Sequence, residues 1–218
     1  MIELRDVTKS YRTTKGRKYI FRNLNFSIPS NKNVAIIGRN GAGKSTLMRL
    51  LAGLDSPDSG KIITPDSISW PVGLSGGFQG SLTGRQNVKF IARVYGAEQE
   101  QMREVVSYVE NFADIGEYFD QPVKTYSSGM RGRVAFGLSL AFDFDYYLVD
   151  EAMSVGDQKF KTRATEEFKK RVGKANIILV THGMTQVKTL CDIVLVLNRG
   201  DIIKFDDVDA GIEFYKNL

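Results

Sequence analysis

The run Gly38-Arg39-Asn40-Gly41-Ala42-Gly43-Lys44-Ser45 has the residue types and spacing of a phosphate-binding loop. It fits the pattern G-x-x-x-x-G-K-[ST]. Glycines let backbone N–H groups turn inward around phosphate oxygens, and a helix starting behind the loop adds positive potential. Lys44 supplies a cation for β- and γ-phosphates, and Ser45 supplies a hydroxyl for Mg²⁺. Residues 33–37 (NVAII) read as a short buried strand and 46–54 (TLMRLLAGL) as a helix. In that helix Leu47, Leu50, Leu51 and Leu54 fall at i, i+3, i+4 and i+7, which predicts one apolar face. Strand, glycine loop and helix is the context this motif needs.

A second set of reactive groups lies further along. Four apolar residues, Tyr146-Tyr147-Leu148-Val149, run into Asp150-Glu151. An Asp at the carboxyl end of a parallel strand can hold a Mg²⁺ hydration shell. A Glu one residue on points differently and can orient or deprotonate a water. His182 is the chain's single histidine and follows a predicted strand at 177–180. Ser127, Ser128 and Gly129 precede a helical run at 131–141, and small residues at a helix start make another anion site.

These groups must be positioned by an α/β framework with an insertion. Residues 1–78 are strand-rich, with alternating apolar positions at 2–7 and 21–28. Residues 79–140 lose that character, and 86–95 and 98–112 read as helices. Met102, Val105, Val106 and Val109 form an apolar stripe on the second of these, expected to face the core. Residues 141–218 return to α/β, with continuous apolar strands at 146–149 and 177–180 as in a parallel sheet covered on both faces. A helix at 161–171 lies between them, its Glu166–Lys170 and Glu167–Arg171 pairs marking an exposed face.

Composition bounds the rest. A chain of 218 residues with 42% hydrophobic content can bury a core as one domain or one domain with a subdomain. One cysteine, Cys191, forbids an intrachain disulfide and fits a packing role in a reducing compartment. No apolar run reaches the roughly 18 residues that span a bilayer, and no signal peptide opens the chain, so a cytosolic or peripheral protein is expected. The net charge of +5 permits an acidic partner. The basic cluster Arg12, Lys15, Arg17 and Lys18 reads as a solvated hairpin loop. Few aromatics interleave with the basic residues, which argues against a single-strand nucleic-acid platform.

The order of these motifs resembles the nucleotide-binding domain of ABC ATPases, over nearly the whole chain. That family's signature loop is most often LSGGQ. Here Tyr126-Ser127-Ser128-Gly129-Met130 stands in its place, departing at Tyr126, Ser128 and Met130, with Gly129 21 residues before Asp150. Leu74-Ser75-Gly76-Gly77 is a decoy, since it precedes the helical insertion. The resemblance implies a P-loop NTPase fold with a RecA-like core, an N-terminal antiparallel β subdomain and a helical insertion. It implies ATP bound by the loop from Gly38 through Ser45 and by Thr46, with Ser45, Gln79 and Asp150 at Mg²⁺. Tyr11 sits where the family stacks adenine, and Tyr19 is a competitor. Asp157 falls in the D-loop, Ser154-Val155-Gly156-Asp157. Glu151, His182 and Lys44 take the catalytic positions.

One branch is closer still. Ile68-Ser69-Trp70-Pro71, Gly76-Gly77-Phe78-Gln79-Gly80-Ser81-Leu82-Thr83-Gly84, the Tyr126–Met130 loop and the D-loop are similar to capsular polysaccharide export ATPases of Gram-negative bacteria. Some O-antigen ATPases carry a C-terminal carbohydrate-binding domain, for which a chain stopping at Leu218 has no room. The resemblance implies a homodimer closing over two MgATP, docked at the cytoplasmic face of the inner membrane on a polytopic permease, expected in two copies. Periplasmic and outer-membrane export proteins are further expected partners, and nucleic acid is not. The alternatives are an ATPase of another exporter, for O-antigen, teichoic acid or lipid, and a soluble ABC ATPase acting on ribosomes or DNA. Ribosome-acting members usually pair two cassettes in one chain and DNA-repair members carry long coiled coils, neither of which is visible here.

Overall fold

A computed structural model describes residues 1–14, 16–73, 76–150, 157–172 and 174–218. Its contacts group into two compact units, one of residues 1–71, 144–151 and 174–218, the other of 72–143 and 152–173.

The first unit contains two sheets. Strands β1 (Ile2–Thr13) and β2 (Gly16–Ile28) form a long hairpin, with Thr13 opposite Gly16 at its tip. Alternation buries Ile2 and Leu4 of β1, and the irregularity at Asp6, whose φ is +51°, resets the face so that Val7 is buried as well. The strands extend well past the predicted segments, so Arg12, Arg17 and Lys18 belong to the sheet rather than to a loop. Strand β3 (Val34–Gly38) is buried throughout, and helix α1 (Lys44–Leu51) follows it. Strand β4 (Ser59–Ile63) completes an antiparallel sheet of order β2-β1-β4.

The second sheet adds β5 (Ile68–Pro71), then β6 (Tyr146–Asp150), β7 (Asn176–Val180), β8 (Ile193–Asn198) and β9 (Asp201–Phe205). Its order is β5-β6-β7-β3-β8-β9, parallel except for β9. The central strands are apolar on both faces because both are covered. Leu47, Met48, Leu50 and Leu51 of α1 share one core with β1, β2, β3, β6, β7 and β8. Each such buried side chain contributes about 2 kcal/mol of apolar burial. Leu54, expected on that face, lies beyond the helix and is 47% exposed. The chain turns at Gly53, whose φ is +66°, so the helical spacing no longer applies there. On the sheet's other face, Val187 and Ile212 pack with Ala35, Ile37, Val194 and Val196. Cys191 borders that cluster, and burial pushes its thiol up to about 12, which leaves it unreactive.

The second unit is helical: α2 (Gly84–Val94), α3 (Gln99–Ala113), α4 (Ser128–Leu140) and α5 (Gln158–Val172), with 3₁₀ turns at Gly116–Asp120 and Val123–Thr125. Thr83 and Gln86 form a reciprocal capping box that starts α2. The α3 stripe is core as expected, with Val105, Val106 and Val109 buried. Phe112, Phe136 and Phe160 bring α3, α4 and α5 together, their ring centroids 5.4 to 6.2 Å apart. Phe160, Ala164 and Phe168 repeat every four residues and form the buried stripe of α5. Other ion pairs replace the two expected on this helix. Lys170 bonds Glu167 at 2.7 Å, and Arg171 reaches Asp143. Among the described residues no helix is long and apolar enough to cross a membrane.

Candidate functional site

The phosphate loop links two buried elements, which fixes its shape. Gly38 ends β3, Ala42 donates to the Arg39 carbonyl at 3.1 Å, and Leu47 donates to that of Gly43 at 2.8 Å. Gly41 and Gly43 have φ of +81° and +109°, the left-handed region that side chains disfavour. A Cβ on Gly43 would also meet Ile20 at 2.7 Å and Phe21 at 3.0 Å, so glycine alone fits between loop and hairpin. The Lys44 ammonium donates to the carbonyls of Gly38 at 2.8 Å and Arg39 at 3.3 Å, which holds it over the loop. Arg39 extends instead to the Leu218 carbonyl at 3.4 Å.

The parallel register brings other groups to the same sheet edge. Val180 lies beside both Ile36 of β3 and Asp150 of β6, so the ends of three neighbouring strands are level. Ligands of open α/β sheets bind at such carboxyl ends. A cavity of about 640 Å³ there is lined by Tyr11, Asn40, Gly41, Gly43, Lys44, Ser45, Thr46, Asp150 and His182, with Lys18, Ile20 and Val180. Gly38, Arg39 and Ala42 shape the loop without lining the cavity.

Tyr11 and Tyr19 separate by strand alternation. Tyr11 pairs with Lys18, and Tyr19 pairs with Ser10, so the two tyrosines occupy opposite faces. Tyr11 lines the cavity, while Tyr19 stacks under the Arg22 guanidinium at 3.7 Å. The Tyr11 hydroxyl donates to Asp55 at 2.9 Å, and the buried Lys9 pairs with the same carboxylate at 2.6 Å. Lys9, and then the Tyr11 hydroxyl, hold Asp55 below the usual aspartate range.

The other expected site residues belong to the second unit. Ser127 caps α4, its Oγ accepting from Met130 N at 3.1 Å, and Ser128 opens the helix. Ser127, Gly129, Met130, Arg133 and Asp157 line a second cavity of about 630 Å³. Asp157 accepts from Phe160 N at 2.8 Å and pairs with Arg133 at 2.8 Å. The Phe160 N–H first, then Arg133, lower its carboxyl. Gln79 is exposed, but its backbone is clamped by buried Asn87, which accepts from Gln79 N at 2.7 Å and donates to Gln79 O at 3.1 Å. Glu151 and the D-loop residues Ser154, Val155 and Gly156 lie outside the described residues.

Three residues position this unit in ways that the sequence does not announce: Asn87, Arg85 and Tyr126, the last visible only as a departure from a consensus. Tyr126 is buried, with its hydroxyl bonded to Gly84 and Phe119. Arg85 pairs with Asp120 and Glu110, which raise its pKa, and it lies over the Phe119 ring. A polar side chain in a helical stretch reads as solvated unless its partners are known.

The donors test what ion could accompany a phosphate ligand. Among the described residues no group of three or more His, Cys, Asp or Glu could cage a metal. Among the described residues the cavity offers the hydroxyls of Ser45, Thr46 and Tyr11 and one carboxylate, Asp150. That set fits Mg²⁺ completing its shell with phosphate oxygens and water, and does not fit an all-protein site.

The family model described as "ABC transporter" matches residues 21–154. The chain is 56% identical over 217 residues to the Polysialic acid transport ATP-binding protein KpsT of Escherichia coli, covering 99% of this chain and 96% of that protein. It is 42% identical over 218 residues to the Capsule polysaccharide export ATP-binding protein CtrD of Neisseria meningitidis serogroup B, covering 100% of both. In fold it is similar to the ATP-binding cassette MJ0796, whose dimeric post-hydrolysis structure is bound to ADP and Pi. There the TM-score is 0.73 at 24% identity, over 94% of this chain and 98% of that one.

Proposed function

Because the chain belongs to the ABC transporter family, we propose that it is the ATP-hydrolysing subunit of a transporter that exports capsular polysaccharide across the inner membrane. The observation that carries the ATP reading is the single cavity shared by Tyr11, Lys44, Ser45, Asp150 and His182. The names of the two relatives support the polymer class.

In this reading adenine stacks on Tyr11 and the phosphates lie against the loop amides. Ser45, Asp150 and Gln79 would hold Mg²⁺, which would supply positive charge to the β- and γ-phosphates. Glu151 takes a proton from the attacking water as the new bond to the γ-phosphorus forms. The bond from that phosphorus to the bridging oxygen breaks, and ADP leaves. Lys44 and His182 stabilise charge on the γ-phosphoryl oxygens. Two copies close head to tail, so that Ser127–Gly129 of one meets the ATP of the other. ATP favours the closed pair and hydrolysis releases it. The strokes pass through the helical unit to a polytopic permease, in two copies, at the cytoplasmic face. Periplasmic and outer-membrane proteins extend the export path.

The test is to purify Glu151→Gln with ATP from detergent-solubilised native membranes. A stoichiometric polytopic subunit carrying a glycan is expected. Ribosomes or nucleic acid, with no membrane protein, would overturn the exporter reading.

A further inference from the structure

The basic hairpin divides into two functions that its sequence does not distinguish. Arg12 and Arg17 are cross-strand partners on one face. Lys18 is the partner of Tyr11 on the other, and its side chain lines the cavity of the phosphate loop. Two neighbouring hairpin cations have companions: Lys9 pairs with Asp55, and Arg22 stacks on Tyr19. The nearby acids are also engaged, Asp55 by Lys9 and Tyr11, and Asp58 by Ser10. Among the described residues none forms an ion pair with Lys18. The cavity therefore has a second lysine in addition to Lys44 among its described lining residues, with Asp150 as the acid. Two lysines among its described lining residues suit a ligand with several phosphates.

The two ammoniums occupy different ends. Lys44 lies on the loop, held by Gly38 and Arg39, where β- and γ-phosphates bind. Lys18 lies beside Tyr11, at the nucleoside end. Resting on the ATP reading of the same cavity, we propose that Lys18 is a nucleotide-affinity residue that pairs with the α-phosphate. The α-phosphate is common to ATP and ADP and takes no part in bond breaking. Lys18 thus contributes equally to substrate and product, and does not stabilise the transition state beyond the ground state.

The experiment is calorimetric titration of the full chain, wild type and Lys18→Met, with MgATP, MgADP and adenosine, alongside steady-state hydrolysis. Lys18→Met should weaken ATP and ADP by the same factor, about five- to tenfold for one exposed charge-assisted contact. Adenosine affinity should not change, KM should rise, and kcat should hold. Lys18→Arg should restore ATP affinity, which separates loss of charge from loss of fold. Unchanged ATP affinity in Lys18→Met overturns the proposal, as does an equal loss for adenosine, since that loss would place Lys18 on the base or ribose. A wild-type chain that binds no nucleotide would instead overturn the ATP reading.

Discussion

The Tyr126 hydroxyl accepts a hydrogen bond from Gly84 N at 3.1 Å and donates one to the Phe119 carbonyl at 3.3 Å. It ties the loop before α4 to the first turn of α2. A Cβ on Gly84 would collide with that hydroxyl and meet the Phe119 ring at 3.1 Å. The consensus leucine would lack the link. Tyr126→Phe should lower stability by about 1–3 kcal/mol, because it leaves a buried N–H without its acceptor. Urea unfolding measures this, and an unchanged midpoint would show that the bond carries no net stability.

Asn87 spends its whole amide on the chain around Gln79, accepting from Gln79 N and donating to the carbonyls of Gln79, Leu82 and Thr83. If Gln79 acts at Mg²⁺, Asn87→Ala should lower turnover by about tenfold, the scale of lost outer-shell support. ATP affinity of the isolated chain should stay within about twofold. Full turnover in a folded Asn87→Ala chain would detach this clamp from catalysis.

Asp55 contributes a defined acid limb to stability. Its folded pKa is depressed, chiefly by Lys9, so folding favours the ionised form. That contribution is complete above the unfolded value, about 3.9, and is lost as pH falls through the lower folded value. The stability gap between wild type and Asp55→Asn should be constant above about pH 5 and shrink below about pH 4. Denaturant unfolding at pH 7 and pH 3 checks this, and a gap that widens in acid would contradict it.

How far these features were legible varied with how local their cause is. The strand before the phosphate loop and the helix after it follow from Val34 to Leu51 alone, since apolar spacing and glycines act within one turn. Leu54 was misplaced because Gly53 ends the helical geometry first. The expected Glu167–Arg171 pair gives way because Asp143, 28 positions from Arg171, takes its guanidinium and leaves Glu167 to Lys170. Tyr126 looked like a lapse from a consensus because its partners lie 42 and 7 residues away. Lys18 looked like Arg17, although one step along a strand puts the two on opposite faces.

Ser127 is exposed at the start of α4 and spends its hydroxyl on a helix cap. Ser127→Arg should leave ATP affinity of the single chain within about threefold. In the Glu151→Gln background it should abolish the ATP-dependent dimer. Size-exclusion chromatography with and without ATP measures both states. A dimer that persists would remove Ser127 from the facing site.

The most direct measurement is made in cells that encode the chain, with Lys44→Ala in place of the wild-type residue. Surface and intracellular capsular polysaccharide are then quantified. Polymer should still be made and should accumulate inside, with the surface bare until the wild-type chain is restored. Wild-type levels of surface polymer in the Lys44→Ala cells would contradict ATP-driven export by this protein.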